Sequence, residues 1–282
     1  GSSGHIKEMR GLLQGITAIA TSPDGNQMAL GGSDGRIIIR DKSQAPIRNP
    51  TTHQYVDASI YKASISSDGS RLVAVASDKQ TLILWNMSTM SRSSIGSHSA
   101  TIQAIKLSLN GRRLTTVDIN GVIKQWNLDT NTAIHQLTTT LTPITSIEIS
   151  NNSHTIAIAG GDTNIIQLWD IPRQLLLSTT QARTHIITTL NFSPNNHQLV
   201  SGDENGGVTF LTVPELVVDK SVKVYLRVVN GIAFGRDGLT MVTVGDGVVL
   251  KSWDYGSRTV ERSFEVKSDD YIEDAVIVKD DT

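Results

Sequence analysis

The chain has no cysteine, which excludes disulfides and thiolate metal sites. That fits a reducing compartment, and an intracellular, cytoplasmic protein is expected. No apolar run approaches the ~20 residues a membrane-crossing helix needs, so membrane insertion is not expected. No secretory leader is legible. The opening Gly1-Ser2-Ser3-Gly4-His5 reads as a short cloning remnant, residues 1–5. Charge of either sign is also in short supply: 25 bases face 27 acids, a net of −2. Residues 261–282 hold eight acids against three bases, so that end is −5 and the remainder +3. Neither part has the basic footprint of a nucleic-acid binder, and no nucleic-acid partner is expected. Helical periodicity is absent throughout.

Aromatic residues make up only 5% of the 282, so the places where they do stand carry information. The four tryptophans are Trp85, Trp126, Trp169 and Trp253, spaced by 41, 43 and 84 residues, the last being two periods of 42. Each is followed by Asn or Asp. A period near 42 among short β-like runs means one supersecondary unit copied many times. One domain spanning 6–282 is expected, long enough to bury roughly three quarters of its unfolded surface.

A second marker keeps the same phase. Asp24, Asp68, Asn110, Asn152, Asn195 and Asp237 sit in turn-like clusters at intervals of 42 to 44. Asp-Gly and Asn-Gly tolerate the positive φ of tight hairpins. Eight residues before each stands a β-branched residue: Ile16, Ile60, Ile102, Ile144, Ile187 and Val229. After each turn comes a small apolar run such as Leu72-Val73-Ala74-Val75-Ala76. A second, Asp-containing turn follows, at Asp34, Asp78, Asp118, Asp162, Asp203 and Asp246. A third run leads to the tryptophan, and a looser fourth follows. Each unit therefore reads as a four-stranded antiparallel meander, and the fold class as all-β. Alanine and glycine in the second run predict close sheet-on-sheet packing.

These markers resemble the WD40 repeat family over residues ~6 to 280. Unit one carries the family's turns in Ser22-Pro23-Asp24-Gly25 and Gly32-Ser33-Asp34-Gly35. The resemblance implies a β-propeller of four-stranded blades, with Trp85, Trp126, Trp169 and Trp253 as structural core. The six Asp residues of the second turn would each cap their own turn. There are departures. Unit one has Arg40-Asp41, and unit five Thr212-Val213, in place of Trp-Asp. Members of the family often place a His four residues before the first-strand Ile or Val. Here only His98 fills that slot; Leu12, Val56, Thr140, Arg183 and Tyr225 hold the others. Most blades are therefore expected to lack the full polar network. Six units are complete. Tyr271–Val278 begins a seventh, and Ile6–Leu13 looks like a fourth strand. Six or seven blades both fit, as does a fragment of a longer propeller.

Chemical motifs are few. Gly31-Gly32-Ser33-Asp34-Gly35 matches a nucleophile elbow, but no helix follows, and it reads as a repeat turn. The seven histidines form no i, i+4 pair, so no metal is expected. No cofactor motif and no converging catalytic group is found. Arg112-Arg113 reads as a solvated face.

The resemblance places the useful surface on the narrow face, around the channel mouth. The residues flanking the first-strand Ile or Val there include Thr17, Ser59, Tyr61, Thr101, Gln103, Thr145, Ile186, Thr188, Val228 and Asn230. The set is neutral, mostly small and polar. It could accept a protein loop or peptide, with Tyr61, Ile186 and Val228 as apolar anchors. The expected function is non-enzymatic: protein or peptide binding, as a scaffold or sensing domain. The alternatives are a structural segment of a tandem propeller, or an enzyme or small-ligand binder at the channel mouth.

Overall fold

The computed structural model describes residues 16–21, 27–32, 36–41, 51–54 and 60–265, the last span less 67, 88, 90, 109, 162–163, 182–184, 236–237 and 247–248. The runs expected at 6–13 and 271–278 lie outside these residues, as do Ser59, Asp34 and Asp162.

Every described element is a strand, and the strands form six four-stranded antiparallel sheets in chain order. Sheet one holds β1 (Ile16–Thr21), β2 (Gln27–Gly32), β3 (Arg36–Asp41) and β4 (Thr51–Gln54). Sheet two holds β5 (Lys62–Ile65), β6 (Arg71–Val75), β7 (Thr81–Asn86) and β8 (Ser91–Ser97). Sheet three holds β9 (Ile102–Leu107), β10 (Arg113–Asp118), β11 (Val122–Asn127) and β12 (Thr132–Thr138). Sheet four holds β13 (Ile144–Ile149), β14 (Thr155–Gly160), β15 (Ile165–Asp170) and β16 (Leu175–Gln181). Sheet five holds β17 (Ile187–Phe192), β18 (Gln198–Asp203), β19 (Gly207–Thr212) and β20 (Val218–Lys223). Sheet six holds β21 (Val229–Phe234), β22 (Thr240–Gly245), β23 (Val249–Asp254) and β24 (Thr259–Glu265).

Each sheet buries its faces against its neighbours in the chain. First strands lie next to one another in order, β1 by β5, β5 by β9, β9 by β13, β13 by β17 and β17 by β21. Five apolar seams fill the gaps. Ala29 and Leu72 belong to the seam of sheets one and two. Val75 meets the cluster of Ile102 and Leu114 between two and three. Val117 and Ile123 join Ile156 and Ile158 between three and four. Ala159 and Leu168 join Ile187 and Phe192 between four and five. Val200 and Val208 join Val229 and Trp253 between five and six. Burying one such aliphatic side chain contributes up to about 1.5–3 kcal/mol. Small residues let the backbones approach: a Cβ on Gly202 would come within 2.6 Å of Val229 Cγ1.

The pairing corrects two readings of the repeat. Trp85, Trp126, Trp169 and Trp253 lie opposite Leu72, Leu114, Ile156 and Met241. The matching pair in sheet five is Leu199 with Leu211, so Leu211, not Thr212, stands in the tryptophan position. A bulge between Phe210 and Leu211 marks the place, as one does between Gln125 and Trp126. Tryptophan spacings that vary between 41 and 43 left room for a one-residue slip.

The recurring Asp residues also divide. Ile102 pairs with Asp118 and Ile187 with Asp203, at the ends of β10 and β18. In sheets four and six that place belongs to Gly160 and Gly245. Asp78 and Asp246 therefore lie beyond their second strands, inside the turn.

Candidate binding face

At the end where first strands begin, two loops of a sheet are tied together by backbone hydrogen bonds in sheets three, five and six. Ile119 N–H donates to Thr101 O (2.9 Å), Glu204 N–H to Ile186 O (2.9 Å), and Asp246 N–H to Val228 O (3.1 Å). Turn carboxylates stiffen this end further. Asp118 accepts from Asn120 N and Val122 N, both at 3.0 Å. Asp203 accepts from Asn205 N (2.9 Å) and Gly207 N (2.8 Å). Asp78 accepts from Gln80 N (2.9 Å), Thr81 N (2.8 Å) and the Thr81 hydroxyl. Burial raises its pKa, yet these donors together hold Asp78 below the ordinary carboxylate value. Asp246 also ties its turn to the loop before the first strand. It accepts from Leu226 N (2.9 Å) and Arg227 N (2.7 Å), which precede the first strand.

The polar networks behind this rim are more varied than the His slot suggested. In sheet three His98 Nδ1 lies 2.9 Å from Asp118 Oδ2 and Nε2 lies 2.7 Å from Thr116 Oγ1. Trp126 Nε1–H donates to that same hydroxyl at 2.8 Å. Burial pushes His98 below the ordinary histidine pKa, opposed by the Asp118 hydrogen bond and charge and assisted by Lys124. A neutral ring with its proton on Nδ1 satisfies all three partners. In sheet six Tyr225 fills the slot. Its hydroxyl reaches Thr243 O and Thr243 Oγ1, both at 2.8 Å, and Trp253 Nε1–H donates to Thr243 Oγ1 at 2.9 Å. In sheet four Thr139 Oγ1–H (2.7 Å) and Trp169 Nε1–H (3.0 Å) both donate to Gln167 Oε1. Sequence reasoning missed the last two because it looked for histidine alone.

Of the expected rim residues, Thr145 is exposed and Ile186 is 43% exposed. Tyr61, Thr101, Gln103, Val228 and Asn230 are half-buried. Thr188 donates its hydroxyl to Val229 O at 2.5 Å, across the seam to sheet six, so that hydroxyl is committed to the wall. Thr17 lies in β1, and its side chain is outside the described residues. Two apolar residues were missed because they stand in loops rather than beside the first-strand residue: Ile119, 44% exposed, and Leu226, 85% exposed. Charged residues lie beside this neutral set. Lys79 and Lys62 hold their Nζ atoms 4.9 Å and 5.4 Å from the Tyr61 ring centroid. Among the described residues no group of three His, Asp or Glu could hold a metal ion. No helix there is long and apolar enough to cross a membrane.

Repeated four-stranded antiparallel sheets, packed face to face around their first strands, define a β-propeller-like repeat protein. The model of the WD domain, G-beta repeat family matches residues 4–41, 131–170 and 175–210. The chain therefore carries WD40 repeats at these three places. The second and third matches start in or beside an outer strand, β12 or β16, and run into the next sheet, so the sequence repeat is offset from the sheet by one strand. The chain is similar to Autophagy-related protein 16 of Arabidopsis thaliana, 22% identical over 207 residues, covering 72% of this chain and 40% of that protein. It is similar to WD repeat-containing protein 91 of Gallus gallus, 21% identical over 228 residues, covering 71% and 30%. It is also similar to Apoptotic protease-activating factor 1 of Rattus norvegicus, 20% identical over 252 residues, covering 84% and 19%. The chain thus spans 40% or less of the length of these relatives.

Proposed function

We propose that the chain is a non-enzymatic binding module whose narrow face holds a protein loop or peptide. The observation that carries this is the rim itself. Ile119, Ile186 and Leu226 stand exposed on loops that backbone bonds and Asp carboxylates hold in place. A pre-organised surface of isolated apolar anchors among polar groups suits peptide recognition, since little is lost in ordering it. WD40 domains generally serve as protein-interaction scaffolds, and the matched relatives are longer proteins, which supports a module within a larger assembly.

The test is affinity capture with three proteins: wild type, a Tyr61→Ala plus Ile186→Asp variant, and an Arg112→Glu variant at the other end of a sheet. Loss of the captured set in the rim variant alone supports the reading. Equal capture by all three sinks it.

A further inference from the structure

We propose that the outer edge of sheet four is a dimerisation surface, where β16 pairs antiparallel with β16 of a second copy of the chain. The proposal does not depend on the narrow-face reading. β16 is the outermost strand of its sheet, three strands removed from β13 and the rim.

Large apolar side chains are exposed at several places among the described residues, but five gather at this edge. Leu175, Leu176 and Leu177 open β16, and Val217 and Val218 end the turn that leads into β20 of sheet five. They are 39% to 59% exposed. The two elements touch, since Ser178 donates its hydroxyl to Pro214 O at 2.5 Å. The turn is closed on itself: Leu216 N–H donates to Thr212 O and Thr212 N–H to Val217 O, both at 2.9 Å. Its valines are therefore held close to the leucine strand.

β16 is also an open edge. It pairs with β15 on one side, and among the described residues no strand pairs with the other. Edge strands that stay single are guarded by charge, proline or bulges. β20 holds Asp219, Lys220 and Lys223, β24 holds Glu261, Arg262 and Glu265, and β8 holds Arg92. β12 is uncharged and exposes one large apolar side chain, Ile134. β16 reads Leu-Leu-Leu-Ser-Thr-Thr-Gln, with no charge, no proline and no glycine. Its bulge recurs on β20 and β24, where the extra residue is Asp219 or Glu261; on β16 it is Leu177. The charge that protects the other two edges is missing here.

Symmetry and area favour a second copy as the occupant. A two-fold interface opposes a strand with itself, so a charge on the strand meets its own image near the axis. An uncharged strand avoids this in every register. Arg173, just before β16, is paired with Asp170 at 3.6 Å, and exposed Glu215 stands in the neighbouring turn. The five side chains offer about 300 Å² of apolar surface per copy. With polar surface in the usual proportion this becomes roughly 1,000 Å² across both copies, the least that a specific dimer needs. A weak dimer follows, with a dissociation constant of roughly micromolar order.

The experiment is sedimentation equilibrium of the 282-residue chain across a concentration series. The mass is expected to rise from that of one chain toward twice that. Leu175→Lys with Leu177→Lys puts charge on an exposed edge, so the melting temperature should hold while the dimer weakens about a hundredfold. Phe264→Lys, the same charge on the β24 edge, should leave the dimer unchanged. Hydrogen exchange of wild type needs no substitution: β16 amides should gain protection as concentration rises, and β24 amides should not. A monomer at every concentration up to about 100 μM overturns the proposal. So does a dimer that survives both β16 lysines, or one that Phe264→Lys weakens equally. Association that continues past two copies overturns the two-fold pairing as well.

Discussion

Tyr225 lies over Gly245 at the position where, three sheets earlier, His98 meets Asp118. A Cβ on Gly245 would fall 2.8 Å from Tyr225 Cγ and 2.6 Å from Val228 O. The larger ring takes the room of the missing carboxylate and reaches Thr243 directly. The exchanges of His for Tyr and Asp for Gly are thus one change, not two.

Gly245→Ala should therefore destabilise sheet six by roughly 1–3 kcal/mol, since the ring or the Val228 carbonyl must move. Combining it with Tyr225→Ala, which removes the ring that the new Cβ would meet, should cost less than the two single effects together. Chemical denaturation of the four proteins checks this, and strict additivity would show that the contact is not felt.

Trp126 is 5% exposed and donates its indole N–H to Thr116. Trp126→Ala should cost about 3–5 kcal/mol. Thr116→Val, which keeps the shape but strands the indole and His98 Nε2, should cost about 1–3 kcal/mol. An unchanged melting temperature in either variant would count against the network.

Leu211 and Thr212 separate the two registers of sheet five. Leu211 is fully buried with Leu199 and Leu216, so Leu211→Ala should cost about 2–5 kcal/mol. Thr212 is half-buried, and its hydroxyl accepts a hydrogen bond from Val217 N at 3.2 Å. Thr212→Ala should stay near 1 kcal/mol. The reverse order of melting temperatures would restore Thr212 to the tryptophan position.

His98 gives the fold an acid limit. Its pKa is lowered in the folded state, so its contribution is complete above the unfolded value near 6.5 and is lost as pH falls through the folded value. Melting temperature should drop below pH 6.5 in wild type, and the corresponding part of that slope should vanish in His98→Gln. At the other extreme, burial pushes the Tyr225 hydroxyl up to about 12, with Thr243 opposing and Asp246 adding to the rise. Its share of stability holds below pH 10 and fades as pH climbs toward that value. A wild type and a Tyr225→Phe variant with parallel alkaline melting curves would contradict this.

Most of the architecture was legible because its markers are local. A turn needs Asn or Asp beside Gly, and a buried third strand needs a large apolar residue in phase. Trp126, Ile102 and Asn110 therefore announced sheet three from composition alone. What stayed hidden depends on partners distant in the chain. The slip from Leu211 to Thr212 is invisible until Leu199 shows which residue it faces. Tyr225 does the work of a histidine only because Gly245 leaves it space. Lys79 joins the binding face only because its turn folds back beside Tyr61. Ile119 and Leu226 belong to loops, where no period marks an exposed side chain.

The five seams carry one more consequence. Each joins a sheet to the one synthesised just before it, across about 42 residues of chain. No apolar cluster among the described residues waits for a distant segment. Folding can therefore run in the direction of translation, each new sheet condensing on a finished neighbour as it leaves the ribosome. A lesion such as Trp126→Ala would then stall the growing stack at one point and leave sheets one and two already formed.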